Sequence, residues 1–179
     1  PTYFPPMRIN SFCHESSTLI DGGIFANNPC LCALIEALKM EGATDMTNIN
    51  ILSVGNLSRK KAYPYSQISK WGLANWAVPM FDMLMEANIQ TVDYQLRTLF
   101  SSVRKSQNYL RVEHFQDQVP PMDDVSPENI AYLIDMGNTL TTAFDKGLHA
   151  FVKRLVAENG YSTPKAMPEK PRMHINIKS

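Results

Sequence analysis

An aspartate followed by two glycines is the part of this sequence best suited to chemistry. Two apolar residues precede Asp21, Gly22 and Gly23 follow it, and a helix-forming run begins at Pro29. The apolar pair predicts a buried strand that ends at the aspartate, and the glycines allow a tight turn there. A carboxylate held in that place could deprotonate or orient a nucleophile. The ordinary alternative is a turn in which the aspartate bonds its own backbone.

No nucleophile motif accompanies this aspartate. A serine hydroxyl becomes a good nucleophile when a base within about 3 Å takes its proton. The Gly-x-Ser-x-Gly turn that presents such a serine is absent from the 179 residues, because the stretch from Gly55 to Arg59 lacks the second glycine. A carboxylate with the ordinary pKa of about 3.9 is a weak base. We therefore expect the surroundings of Asp21 to raise its basicity or to assist it strongly.

The other titratable residues give weaker signals. A catalytic triad needs a histidine, and His14 is the only one close to Asp21 in sequence, in an irregular segment typical of a surface. None of the four histidines has a partner at metal-ligand spacing, so the sequence predicts no metal site and no cofactor. Asp123 and Asp124 are predicted to form turns and caps rather than a calcium site.

Composition excludes several classes of protein. Hydrophobic residues make up 44% and charged residues 19%, as in ordinary globular domains. The 17 basic and 17 acidic side chains cancel, so we expect no nucleic-acid partner. No apolar run reaches the roughly 18 residues of a membrane span. Three cysteines without a CxxC pair favour free thiols in a reducing compartment. We therefore expect a cytoplasmic location, with membrane association and a secreted effector role left open.

The hydrophobic pattern alternates strands with helices, which predicts an α/β fold. Strands are predicted at 18–20, 49–55 and 109–115, and helices at about 29–41, 66–100, 126–144 and 146–157. The strand at 49–55 has few polar positions, which suits a buried parallel sheet. The strands at 18–20 and 49–55, with the helix at 29–41 between them, predict a βαβ unit. Residues 57–65 are predicted to form a surface loop.

Local signals refine the predicted helices. Asn27 or Asn28 is expected to cap the helix that Pro29 begins, and Ser126 to cap the helix that follows it. Pro79 is expected to break or kink the long helix. One face of that helix is predicted to contain Phe81, Leu84, Met85, Asn88, Val92, Leu96 and Leu99.

The segment from Trp71 to Met85 is rich in tryptophan and methionine. Such a stripe is the ordinary composition of a core. It also suits an acyl-chain channel, because methionine adapts to variable shapes, or a lipid interface, where amphipathic aromatic rings are stable. Both interpretations stay open at this stage.

Several segments, in sequence order, resemble the patatin-like phospholipases, a family of serine lipid acyl hydrolases. They are Pro1-Thr2-Tyr3-Phe4-Pro5-Pro6, Asp21-Gly22-Gly23 with Asn27-Asn28-Pro29, Ile51-Leu52-Ser53-Val54-Gly55, Asn108-Tyr109-Leu110-Arg111-Val112 and Met122-Asp123-Asp124. The resemblance covers roughly residues 1–145. An Asp-Gly-Gly tripeptide alone is weak, since it is common in turns, but five segments in order favour the family.

The resemblance implies a three-layer α/β fold with a central, mainly parallel sheet. Residues 1–160 would form the C-terminal part of that domain and 161–179 a tail. The family uses a Ser–Asp dyad, so Asp21 would be the catalytic base, and Gly22 and Gly23 would form the turn that aims it. The nucleophilic serine and the glycine-rich oxyanion loop would lie upstream of this chain.

The implied activity is hydrolysis of acyl esters in phospholipids or other lipids, with a membrane surface as a further partner. This chain alone is then expected to be inactive, with a poorly closed sheet. The alternative is a non-catalytic binding or regulatory segment of a patatin-like protein.

Overall fold

The chain divides into two compact units, each containing helices and a two-stranded sheet. The computed structural model describes residues 5–10, 16–40, 45–59, 62–116, 118–121, 123–158 and 160. Unit 1 combines Pro1–Ile49 with Tyr63–Ser106, and unit 2 combines Asn50–Ala62 with Gln107–Ser179. The predicted tail at 161–179 and the first resembling segment up to residue 4 lie outside the described residues.

The strand that leads to Asp21 belongs to an antiparallel pair in unit 1. Strand β1 (Met7–Asn10) pairs with β2 (Ser16–Leu19), with Met7 opposite Leu19. All the residues of both strands are exposed. The prediction of a buried strand was therefore wrong in burial and in pairing. The prediction relied on the apolar pair Leu19 and Ile20. Strand β2 begins with Ser-Ser-Thr, a composition typical of a solvated hairpin rather than of a core.

The helices of unit 1 are α1 (Gly23–Ala26), α2 (Cys30–Lys39), α3 (Tyr65–Ile68) and α4 (Leu73–Ser102). Both α1 and α2 pack against α4. The predicted helix at 66–100 is interrupted at 69–72, whereas Pro79 lies inside α4 without ending it. Val92, Leu96 and Phe100 are buried at a spacing of four residues, so α4 has one buried stripe.

The strands of unit 2 are parallel. Strand β3 (Ile51–Arg59) pairs with β4 (Tyr109–Gln116), and the register shifts between Val54 and Leu57. The parallel pairing confirms the α/β class. The predicted βαβ unit was wrong in its partners, because β2 pairs with β1 and β3 with β4. Residues 57–59, predicted as loop, continue β3 beyond the register shift.

Helices α5 (Pro127–Ala143) and α6 (Asp145–Glu158) both pack against β4. Their positions confirm the two predicted C-terminal helices. Ser126 caps α5, since its side-chain oxygen accepts a hydrogen bond from the Asn129 N–H at 3.3 Å, and Pro127 occupies the first turn. None of the helices described has the length and apolar character needed to cross a membrane.

Candidate active site

The carboxylate of Asp21 lies in the turn that joins β2 to α1. Its Oδ1 atom accepts a hydrogen bond from the Gly23 N–H at 2.9 Å. The carbonyl of Gly22 accepts from the Phe25 and Ala26 N–H groups at 3.0 and 2.9 Å, which begins α1 one residue later. The aspartate is partly buried. Its carboxylate is therefore oriented by the same turn that starts a helix, an element that the sequence did not predict.

This hydrogen bond makes Asp21 more acidic. The Gly23 N–H stabilises the charged carboxylate and is the main reason that the pKa of Asp21 lies below its ordinary value. In the described residues the surroundings of Asp21 thus lower its pKa rather than raise it, and the strand β2 beside it is exposed. What the turn supplies is a carboxylate that stays ionised and oriented, ready to accept a hydrogen bond from a hydroxyl group.

The two glycines of the motif have different surroundings. A Cβ atom on Gly23 would lie 3.3 Å from the Asp21 Oδ1 atom and 3.3 Å from the Met85 Cε atom of α4. No atom of the described residues lies within 4 Å of the same position on Gly22, which has ordinary helical backbone angles. Glycine at position 23 thus allows close packing between the turn, the carboxylate and α4, and a larger residue there would require Asp21 or Met85 to shift slightly.

Two asparagines connect this turn to α4. Asn28 is only 3% exposed, and its Oδ1 atom accepts from the Cys30 N–H at 3.2 Å. Asn88 of α4 accepts from the Asn28 N–H and donates to the Phe25 carbonyl, each at 3.3 Å. The predicted cap is therefore close to the observed one: Pro29 has the N-cap position of α2, and Asn28 satisfies the first helical N–H.

The sequence contains one signal for this link. Asn88 is the polar member of the otherwise apolar face predicted for α4, which indicates a polar partner opposite it. The buried Nδ2 atom of Asn28 is also notable, because no acceptor for it exists among the described residues. A buried donor without a partner costs about 1–3 kcal/mol.

The other candidate residues belong to other parts of the chain. His114 is on β4 and His149 on α6, both in unit 2, and His149 is exposed with its Nδ1 atom 3.0 Å from the Asp145 carbonyl oxygen. His14 lies outside the described residues. Asp124 accepts from the Ser126 N–H at 2.9 Å, which confirms its predicted role in a turn.

Among the described residues, no cluster of three or more histidine, cysteine or acidic side chains could hold a metal ion. Cys30 and Cys32 are free thiols.

Ser58, the serine nearest to an elbow motif in sequence, has a structural role. It is buried on β3 and donates to the Glu113 Oε1 atom at 2.9 Å. The Arg111 guanidinium binds both oxygens of Glu113, at 2.7 and 2.9 Å, and donates to the Ser53 hydroxyl at 2.7 Å. The hydroxyl of Ser58 is thus committed to a buried ion pair within unit 2.

Comparison with known proteins places the chain among the patatins. It is 31% identical to patatin-like protein 3 of Arabidopsis thaliana over 92% of this chain and 42% of that protein. It is 30% identical to patatin-like protein 2 of Oryza sativa subsp. japonica, over 90% of this chain and 44% of the relative. A Solanum tuberosum protein named probable inactive patatin-3-Kuras 1 is 27% identical over 91% of this chain and 46% of its own length.

No family model matches the sequence. The chain spans less than half the length of the curated relatives just described. The matched region nevertheless covers nine-tenths of this chain, and the resemblance suggested by five short segments is confirmed. This chain is the counterpart of a C-terminal portion of patatin-like proteins and belongs to the patatin-like family.

Proposed function

We propose that this chain is the base-bearing part of a lipid acyl hydrolase that uses a Ser–Asp dyad. Asp21 is the base, and the serine and the oxyanion loop come from a segment upstream of this chain. The two segments together form a three-layer α/β domain. The observation that carries the proposal is the Asp21 carboxylate, oriented by the Gly23 N–H at 2.9 Å in a chain of the patatin-like family.

The proposed reaction passes through an acyl-enzyme. Asp21 accepts the proton of the serine hydroxyl while the serine oxygen attacks the acyl carbonyl. The tetrahedral intermediate expels the alcohol of the ester, which takes that proton, and leaves the acyl group on the serine. Asp21 then accepts a proton from water as the water attacks the acyl-serine, which releases the fatty acid and restores the serine hydroxyl.

The acidity of Asp21 is compatible with this role. A low pKa makes a carboxylate a weaker equilibrium base, so proton transfer must be completed by charge stabilisation elsewhere in the transition state. A fixed orientation compensates in part, because a correctly placed acceptor needs no reorganisation when the serine attacks.

An aromatic cluster in unit 1 supports a lipid substrate and a membrane surface as partner. The Trp71 ring stacks edge-on against Tyr63 and Trp76, with centroids 5.5 and 5.1 Å apart. Beside it, Tyr65 is 81% and Leu73 is 91% exposed. Aromatic rings and exposed aliphatic side chains together suit the boundary between water and acyl chains. We accordingly propose that the protein acts in the cytoplasm at a membrane surface.

The test is Asp21→Asn in the protein that carries this chain together with its upstream segment. The substitution keeps the shape of the side chain and removes its capacity to accept the proton. We expect kcat for p-nitrophenyl ester and phospholipid hydrolysis to fall by about 10²- to 10⁴-fold, with normal circular dichroism. Asp123→Asn, at an exposed turn, is the matched control. Wild-type turnover in Asp21→Asn would contradict the proposal.

A non-catalytic role is the second candidate, and one finding favours it. A relative that matches 91% of this chain is named a probable inactive patatin. In that case the aspartate would be retained for the turn and helix start that it stabilises. A protein that has an intact Gly-x-Ser-x-Gly upstream yet hydrolyses neither ester nor phospholipid would support this alternative.

A further inference from the structure

We propose that Asn88, on helix α4, is a positioning residue for the catalytic carboxylate. The inference rests on the proposed function, since it concerns how Asp21 is held. Asn88 lies 67 positions after Asp21 in the sequence, and its amide binds the main chain of other residues. It acts through the short helix α1, which it binds at Phe25, and through Asn28 in the segment that follows that helix.

Both hydrogen bonds of Asn88 go to the main chain just beyond the Asp-Gly-Gly turn. The Nδ2 atom donates to the carbonyl of Phe25, inside α1, and the Oδ1 atom accepts from the N–H of Asn28, two residues before α2 begins. A helix of four residues has too few internal hydrogen bonds to be stable alone. The amide of Asn88 therefore fixes where α1 ends and where α2 begins.

The fixed end of α1 determines the position of its first residue. The Phe25 and Ala26 N–H groups bond to the Gly22 carbonyl, so movement of Phe25 moves Gly22 and Gly23 with it. Gly23 in turn donates to Asp21 and packs against Met85, three residues before Asn88 on α4. Met85 and Asn88 thus lie on one face of α4, where residues three apart are neighbours. The first contacts the turn and the second binds the end of α1.

Loss of the Asn88 amide should loosen the carboxylate without unfolding the protein. Asn88 is only partly buried, so an apolar replacement creates no large cavity. The Phe25 carbonyl and the Asn28 N–H would lose their partner, and α1 would fray. The hydrogen bond from Gly23 to Asp21 would then form in a smaller fraction of molecules.

The experiment compares Asn88→Leu with Gln90→Leu. Leu is close to Asn in size and removes both hydrogen bonds. Gln90 is an exposed amide on the same helix, and its Nε2 atom donates to Glu86 one turn away at 2.7 Å, so it is the matched control. In the protein with its upstream segment, we expect Asn88→Leu to lower kcat by about 10- to 100-fold with KM for the ester within twofold. Gln90→Leu should leave both unchanged.

A second readout does not require activity. In the 179-residue chain, an NMR titration of the Asp21 carboxyl carbon should show a pKa shifted upward in Asn88→Leu, towards the ordinary aspartate value. Amide exchange should quicken at residues 23–26 in that variant. Asn88→Asp keeps the acceptor for the Asn28 N–H and loses the donor for Phe25, so it should give intermediate values and also serves if the leucine variant misfolds.

The outcomes separate this inference from the proposed function. If Asp21→Asn is inactive while Asn88→Leu and Asn88→Asp keep normal kcat and an unshifted Asp21 pKa, the positioning role is wrong and the dyad stands. A fall in stability with the pKa of Asp21 unchanged would also overturn it, since that is a purely structural effect. If Asp21→Asn is active, the proposed function fails. The NMR comparison then still decides whether Asn88 holds the turn.

Discussion

At the scale of single residues, the site depends on one hydrogen bond to one oxygen. The Gly23 N–H stabilises ionised Asp21, so the folded protein holds the charged form to a lower pH than an unfolded chain would. A buried, raised-pKa carboxylate would behave in the opposite way. The direction in which the pKa of Asp21 is shifted therefore decides whether activity is lost above or below pH 4 as the solution is acidified.

We predict that the activity of the proposed dyad persists into acid. A base works in its ionised form, and Asp21 loses that form only as the pH falls through its lowered pKa. The acid limb of kcat/KM should accordingly lie below about 3.9, the ordinary value for aspartate. The measurement is kcat/KM for a p-nitrophenyl ester from pH 3 to 8, with far-ultraviolet circular dichroism at each pH to exclude unfolding. A limb near pH 5 or 6 would show that another group, or a raised pKa, controls the rate.

At the scale of elements, unit 2 contains a strand shaped by a buried ion pair. The register shift in β3 falls at Gly55, and a Cβ atom there would lie 2.9 Å from the Arg111 Nη2 atom and 3.3 Å from the Glu113 Oε1 atom. Arg111 and Glu113 are both more than nine-tenths buried in their side chains. A buried pair is costly to disturb, because each charge depends on the other for its compensation.

Gly55→Ala should therefore destabilise the chain. The arginine tip that the new methyl group meets is held by Glu113 and Ser53, so it cannot move aside freely. We expect a loss of about 1–3 kcal/mol in the free energy of unfolding, the usual cost of overpacking. Gly137→Ala is the control: Gly137 is in the middle of α5, and no atom in the part of the chain that the structure describes lies within 4 Å of its Cβ position, so alanine should stabilise by about 0.5–1 kcal/mol. Urea unfolding of the three proteins measures both effects. Equal midpoints for wild type and Gly55→Ala would refute the packing argument.

Elements with local signals were predicted well from the sequence, and elements defined by distant partners were not. Ser126 and Pro127 are local signals that predict the start of helix α5, and the structure confirms the Ser126 cap. Helix α1 has four residues and depends on α4 for its hydrogen bonds, so no local pattern indicates it. Helix α4 ends at Ser102, close to the predicted end at residue 100, although Arg104 has a left-handed φ of 59° at a position where glycine is usual.

The features of the candidate site fall into the same two groups, those with a local sequence signal and those set by distant partners. Asp21 and the close approach at Gly23 follow from the motif and from the family that it suggests. The pKa direction does not, because it depends on the exposure of β2 and on the Gly23 N–H. Asn88 could be noticed in sequence as a polar residue on an apolar face, but its partners are set by the packing of α1 on α4. Pairing of β2 with β1 is equally a matter of tertiary contact.

At the scale of the whole molecule, many large apolar side chains of the described residues are exposed to solvent. Each described sheet has two strands, and isolated two-stranded sheets are marginal. Phe25 is 81% exposed in unit 1 and Val54 is 73% exposed in unit 2. Large apolar side chains exposed in both units are typical of surfaces that another segment covers. The proposed three-layer domain supplies that segment from the upstream half of the protein.

Because these apolar side chains are exposed, the 179-residue chain alone should bind the dye ANS. It should hydrolyse no p-nitrophenyl ester, since the proposed nucleophile lies upstream. Co-expression with the upstream segment should suppress dye binding, raise the unfolding temperature and produce esterase activity. With Asp21→Asn in the chain, the first two effects should remain and the activity should be lost, because the base is removed while the packing surface is kept. Ester hydrolysis by the chain alone would contradict an upstream nucleophile. Structural rescue without activity, despite an intact Gly-x-Ser-x-Gly, would instead favour the non-catalytic role, since the aspartate would then have a serine beside it and still not act as its base.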